Sequence, residues 1–261
     1  MKIEEYLASL PRSIISGEEV QLPEHAFREM FRFAALTKED VLYHLGCGNG
    51  KGVAIALEEF SVLKAVGIDN DIKKIEFAKK LLEEKKLSNG VFYCQDILKS
   101  DISDATVVLF WFSDQQIVES MTEKFSHLKN GTRIITIWGP LPGFLPNSVD
   151  FPYILSVVPF KKTRDLKEQL MAVFGTDCID FVTAWEFAER YTKAIGPPEA
   201  GNDRFLTIMQ SLIIWINAKN LGIACGDEIP PPIKTYINIL RTFFNIDVEY
   251  LLEKRGKNTS L

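Results

Sequence analysis

The chain has 261 residues, of which 46% are hydrophobic and 25% charged, with a formal net charge of −5. That is material for one large domain, or one domain with an appendage, and the negative balance argues against a broad polyanion-binding surface, so nucleic acid is not expected as the main partner. Cys47, Cys94, Cys178 and Cys225 show no CxxC or Cys/His ligand spacing, so neither a metal site nor a disulfide framework is expected, and a reducing cytoplasm fits.

The N-terminal stretch MKIEEYLASLPRS has acidic residues and a proline where a signal peptide needs an apolar core. The greasiest later stretch, Phe205 to Ala218, is interrupted by Thr207, Gln210, Ser211 and Asn217. Neither secretion nor a membrane span is expected. LPEHAFREMFRFAAL then reads as a helix opened by Pro23, a residue tolerated at a helix start.

From Val41 onward, β-branched and aromatic runs alternate with helical periodicity: VLYHL and VAIALEEF, AVGID and IKKIEFAKKLLEEKK, VFYCQ, TVVLFWF and QIVESMTEKFSHL, RIITIW. Strands that alternate with helices predict a doubly wound α/β domain with a parallel sheet and helices on both faces. The near-continuous apolarity of Thr106 to Phe112 and of Arg133 to Trp138 places those strands in the middle of the sheet.

After the proline-glycine loop GPLPGFLPNSVDFP, the runs YILSVVPF and EQLMAVF are close enough to pair as an antiparallel hairpin at the sheet edge. From Thr176 the chain reads as four helices, DFVTAWEFAERYTKAI, DRFLTIMQSLIIWINAKNL, PPIKTYINILRTFF and DVEYLLEKR. The expected organisation is therefore a domain over 1–175 and a helical module over 176–261. FLTIMQSLIIWI is more apolar than a solvated face, which predicts the core of that module first and a homodimer contact through the C-terminal helices second.

The glycine cluster GCGNGKG separates three nucleotide readings by spacing. A P-loop would need glycine at Leu45 and Ser or Thr at Gly52, and the dinucleotide pattern GxGxxG would need glycine at Lys51 or Val53. Both fail. What remains is GxGxG at Gly46, Gly48 and Gly50 after the first strand, an acidic residue, Asp69, ending the second, and another, Asp96, just past the third. Asp69 is placed to accept hydrogen bonds from two ribose hydroxyls, and Asp96 to take an adenine amino group, at the strand ends where open α/β sheets bind ligands.

With these motifs the chain resembles the class I S-adenosylmethionine-dependent methyltransferases over roughly residues 22 to 174. The stretch from Asp101 to Thr136 and the segment EDVLYHLGCG, with Pro23 starting a helix before it, are similar to archaeal protein-lysine methyltransferases and to non-SET histone lysine methyltransferases. The resemblance implies a Rossmann-like, mostly parallel seven-stranded sheet, S-adenosyl-L-methionine as cofactor and a protein lysine as acceptor. The alternatives are a methyltransferase for a small molecule or RNA, and a methyltransferase-fold binding protein without catalysis.

The expected cofactor-binding set is His44, Gly46, Cys47, Gly48, Gly50, Asp69, Asn70, Asp96 and Ile97. The glycines are expected against the methionine part, Asp69 on the ribose and Asp96 on the adenine. The family usually has an acidic residue where His44 stands, helping to neutralise the cofactor ammonium, and a histidine carries no such charge. His44 is either a neighbour of that ammonium or a packed strand-end residue. Phe112 and Ser113, at the fourth strand's carboxyl end, are the expected substrate-side residues; no metal site is expected. Asp114 reads as the cap of the following helix, Trp111 and Trp138 as core, and His25 and His127 as solvated.

Overall fold

The computed structural model describes residues 22–112, 114–195, 204–226, 228–245, 247, 249 and 252. The apolar runs become strands β1 (Val41–Leu45), β2 (Lys64–Asp69), β3 (Gly90–Cys94), β4 (Val107–Phe110) and β5 (Arg133–Ile137), followed by β6 (Phe144–Leu145), β7 (Ser148–Asp150), β8 (Tyr153–Val157) and β9 (Lys161–Lys162). The helices of this part are α1 (Glu24–Phe33), α2 (Lys51–Phe60), α3 (Ile72–Glu84), α4 (Gln115–Ser126) and α5 (Leu166–Phe174).

The sheet runs β3-β2-β1-β4-β5-β8-β7. The pairings from β3 to β5 are parallel, and β8 is antiparallel to both β5 and β7. Strand order reverses between β1 and β4, and the crevice above such a switch point is where an open α/β sheet takes a ligand. This is the doubly wound, mostly parallel seven-stranded architecture expected.

Alternation along the strands sorts the core into two faces. Tyr43 and Leu45, with Val66, Ile68, Val108, Phe110 and Ile134, pack against Met121 and Phe125 of α4. His44 faces the opposite layer, where its ring meets Phe27 of α1 edge-on at 5.4 Å. Helix α1 buries Ala26, Phe27, Met30 and Phe31, one stripe of an amphipathic helix, and Pro23 is its N-cap. At the amino edge of the sheet the Asp40 carboxylate accepts from Thr37 N and Oγ1 (2.7 and 2.9 Å), from Thr106 Oγ1 (2.7 Å) and from Arg133. This ties the entry to β1 to Thr106, just before β4, and to Arg133, the first residue of β5.

One expectation fails here. EQLMAVF is not a strand but most of α5, so YILSVVPF has no hairpin partner there; its β8 pairs with β5 and β7. Local signals explain why. Asp165 caps the helix by accepting from Lys167 N at 2.8 Å, Leu170 and Val173 are buried one turn apart, and Gly175 ends it at φ 69°. Both caps bound a nine-residue helix, Leu166–Phe174, of which the apolar run is the last seven.

The chain forms two compact units, one spanning Pro23–Gly175 and one containing the helices beyond Thr176. The second has α6 (Phe181–Ile195), α7 (Arg204–Asn220) and α8 (Pro231–Phe244). DVEYLLEKR falls largely outside the described residues. Leu212, Ile214, Trp215, Ile216 and Ala218 of α7 are buried, and α7 packs against α6 within the unit.

A second expectation also fails: Cys178 and Cys225 form a disulfide. It is flanked by hydrogen bonds from Ile179 N to Ile223 O and from Cys225 N to Ile179 O, at 2.8 and 2.9 Å. The two cysteines are 47 positions apart, and ligand spacing cannot register a pairing created by tertiary proximity. The expected lack of a disulfide is thereby corrected, and the cysteines no longer support a reducing cytoplasm. Among the described residues no helix is long and apolar enough to cross a membrane.

Candidate functional site

The loop from β1 to α2 turns within a few residues. Gly46 N and Cys47 N both donate to Ile68 O (2.8 and 3.0 Å), and Gly50 N donates back to Cys47 O (3.0 Å). Gly46, Gly48 and Gly50 have φ of 73°, 54° and 80°, a region that L side chains rarely adopt.

The three glycines do different things. A Cβ on Gly50 would lie 2.5 Å from Phe92 Cζ and 2.7 Å from Ala78 Cβ, so this glycine lets α2 close onto β3 and α3. On Gly46 it would lie 2.9 Å from Phe112 Cζ. On Gly48 it would meet nothing within 4 Å. Gly48 is therefore the point where the loop backbone faces open space and a ligand can come close.

Asp69 stands beside it. Its Oδ2 accepts from Gly48 N at 2.8 Å and its Oδ1 from Asp71 N at 3.0 Å. The carboxylate is thus fixed by two backbone donors, while each oxygen keeps a second lone pair, an arrangement suited to a vicinal diol. Asn70 next to it is exposed, and its carbonyl accepts from Cys94 Sγ at 3.6 Å.

Asp69 is the register partner of Cys94, which puts Asp96 two residues further along the neighbouring strand end. Asp96 is exposed. Its Oδ1 accepts from Leu98 N at 2.9 Å, and its carbonyl accepts from Lys99 N and Ser100 Oγ at 3.1 and 2.8 Å. Ile97 is buried in the core.

Sequence reasoning missed Lys124 of α4. Its Nζ donates to the carbonyls of Ile97 and Leu98, both at 3.1 Å, and to that of Ser100. Three carbonyls aimed at one ammonium tether the loop after β3. The only sequence trace is a lysine among apolar residues on an amphipathic helix, which reads equally well as a solvated face.

His44 is buried, 6% exposed, and its Nδ1 has no hydrogen-bond partner. A Cβ on Gly52 would sit 2.9 Å from that atom, so the missing side chain of Gly52 makes room for the ring. Burial lowers the His44 pKa to about 4, which keeps the imidazole neutral in ordinary buffers. A neutral ring nitrogen is a hydrogen-bond acceptor in one tautomer, so His44 can receive an N–H from a cation without bearing a charge. Cys47 is less available. It is buried, a Cβ on Gly67 would lie 2.8 Å from its Sγ, burial pushes its thiol pKa up, and its N–H is used by Ile68 O.

Phe112 stacks on Phe110 with centroids 4.9 Å apart and packs against the same core. Ser113 lies outside the described residues. Asp114 caps α4, its Oδ1 accepting from Ile117 N at 2.9 Å.

An adenosyl amino-acid cofactor fits this edge on three observations. They are an open approach at Gly48, a carboxylate with two free acceptor positions at Asp69, and an orphaned buried nitrogen on His44 at the head of α2.

Residues 36–137 match a family model described as a methyltransferase domain, a stretch that contains all of these residues. The chain is 33% identical over 137 residues, 50% of its own length and 81% of the relative's, to a protein-lysine N-methyltransferase of Saccharolobus islandicus. Among solved structures it is similar to an RNA methyltransferase from Salinibacter ruber in complex with S-adenosyl-L-homocysteine. That likeness has a TM-score of 0.51 and 26% identity, and covers 56% of this chain and 99% of that one.

Proposed function

The chain belongs to the class I S-adenosylmethionine-dependent methyltransferases, and from that membership we propose that its methyl acceptor is the side-chain amine of a protein lysine. The observation that carries the reading is the 33% identity to the lysine-methylating relative across 81% of that protein. The net charge of −5 agrees with it, because an RNA partner calls for a cationic face. RNA as acceptor is the second reading, favoured by the Salinibacter likeness alone.

When bound, S-adenosylmethionine supplies an activated sulfonium methyl group. Asp69 would accept from the two ribose hydroxyls, Gly48 would let the loop backbone approach, and the Asp96 loop, held by Lys124, would receive the adenine. His44 Nδ1 would accept from the cofactor's ammonium. Phe112, lying over Gly46, would exclude water from the site. The chain then has to align the acceptor, an effect worth roughly 7 to 11 kcal/mol in well-oriented systems, and to lower the amine's pKa by apolar surroundings so that it arrives neutral.

The test is transfer of labelled methyl from S-adenosylmethionine to a lysate that is then split into protein, RNA and small molecules. Label in protein, located on lysine by mass spectrometry, is the expected result. Label confined to RNA would replace this reading by the second.

His44 makes a separate prediction. Because burial holds it neutral down to about pH 4, affinity for S-adenosylhomocysteine, measured by calorimetry, should stay level between about pH 5.5 and 8. Stability should behave differently. The unfolded chain takes up a proton near pH 6.5 and the folded chain does not, so stability falls as pH drops through that window. An affinity transition centred near pH 6.5 would show that His44 ionises freely and is not held in the core.

A further inference from the structure

β3 is an edge strand of the sheet, so the turn that follows it has a neighbouring strand on one side only. Its backbone tie on that side is Gln95 N donating to Asp69 O at 2.9 Å. Within the turn, Asp96 Oδ1 accepts from Leu98 N, and the Asp96 carbonyl accepts from Lys99 N and Ser100 Oγ. These bonds are local. They shape the turn without fastening it to the rest of the domain.

Two side chains do the fastening. Ile97 packs into the core, and Lys124 reaches across from α4 to bond the carbonyls of Ile97, Leu98 and Ser100. A neutral amine has two N–H groups and an ammonium three, so three carbonyls call for the charged form. Burial lowers the Lys124 pKa, and Asp101 and Asp96 push the other way. None of the Lys124 hydrogen bonds goes to the Asp96 side chain. Lys124 therefore acts on Asp96 through the backbone that carries it.

We infer that Lys124 is a positioning residue for the cofactor: by fixing the far side of this turn it sets where the Asp96 carboxylate stands, and thereby the preference for an amino-bearing purine. The inference rests on the reading of Asp96 as the adenine-side residue. A carboxylate favours an amino group only within hydrogen-bond reach, and a shift of about 1 Å takes a bond of roughly 2.9 Å out of that reach. The turn lies at the sheet edge, where Lys124 is the charged group that holds it against such a shift.

The experiment uses the full chain and two ligands, S-adenosylhomocysteine and its analogue lacking the exocyclic amino group of the purine. Affinities are measured by calorimetry on wild type, Lys124→Met and Lys124→Gln, with denaturant titration to establish that each variant is folded. Wild type is expected to prefer the amino form by about tenfold or more, the size of a charge-assisted hydrogen bond. In Lys124→Met the preference should shrink to about threefold or less, because deleting the lysine and deleting the amino group act on one contact and are not additive. Lys124→Gln is uncharged and shorter but keeps the position polar, and should lose most of the preference too, so the ratio can be read even where Lys124→Met does not fold. A lysine that only stabilises the turn would lower the unfolding midpoint and leave the ratio where it was.

If wild type prefers the amino form and the folded variants keep that preference, the inference falls and the adenine reading stands. It falls likewise if the variants lose affinity for both ligands by the same factor. If wild type itself does not distinguish the two ligands, Asp96 does not read the adenine and both fall together.

Discussion

Asp69→Ala is expected to weaken S-adenosylhomocysteine binding by at least about a hundredfold. Each hydrogen bond between a ribose hydroxyl and the carboxylate is charge-assisted and worth roughly 1.5 to 3 kcal/mol, so losing two removes about two decades of affinity. The carboxylate also holds Gly48 N and Asp71 N at 2.8 and 3.0 Å, and without it the loop loses the anchor that presents its open glycine. Asp69→Asn should fall between, because its amide places a donor against one of two backbone donors. Asp71→Ala is the control. It removes the α3 cap, where Asp71 Oδ1 accepts from Lys73 N and Lys74 N, and so costs about 1 kcal/mol of stability with little effect on affinity. An Asp69→Ala protein that binds within threefold of wild type would mean that the ribose lies elsewhere.

What was legible in the sequence was what depends on local pattern. Alternating runs located β1 to β5 within two residues or so, and the GxGxG spacing with Asp69 and Asp96 found an edge where the strand ends do converge. What was not legible depends on contacts between distant residues. Glycine spacing cannot say that Gly50 is needed by Phe92 and Ala78 whereas Gly48 faces open space. Nor can it say that Cys178 lies beside Cys225 or that Lys124 turns its ammonium onto the loop after β3. His44 is intermediate. Its place before the glycines made it a candidate, but its charge state follows from Phe27 and α2 closing over it. The misread α5 is of another kind, since the Asp165 and Gly175 caps were there to read and were outweighed by a short apolar run.

The largest loss of stability is expected from Asp40→Ala, at the edge of the sheet opposite the site. The Asp40 side chain is 7% exposed and paired with Arg133, which also donates to the carbonyls of Ala34 and Ala35 at 2.5 and 2.8 Å. Removing one member of a fully buried pair typically costs about 3 to 5 kcal/mol; the Arg133 side chain is 21% exposed and is partly solvated, so the loss here is expected below that range. Here the Thr37 hydroxyl loses its acceptor as well, and Thr106 Oγ1 keeps only Val41 O at 3.5 Å. Burial alone would push the Asp40 pKa up, but the hydrogen bonds from Arg133, Thr106 and Thr37 outweigh it and hold it below the ordinary carboxylate value. The sign follows from that depression. The stabilisation is present above the unfolded carboxylate pKa near 3.9 and is lost as pH falls through the lower folded value. Denaturant titrations at pH 7 and pH 3 should therefore show wild type and Asp40→Ala far apart at neutral pH and closer in acid. Because Asp40 lies at the amino end of β1 and the glycine loop at its carboxyl end, S-adenosylhomocysteine affinity measured on the folded fraction should not change. A variant that keeps its stability but loses that affinity would show that the two edges are coupled through β1, and that Asp40 belongs to the site rather than to the frame that holds it.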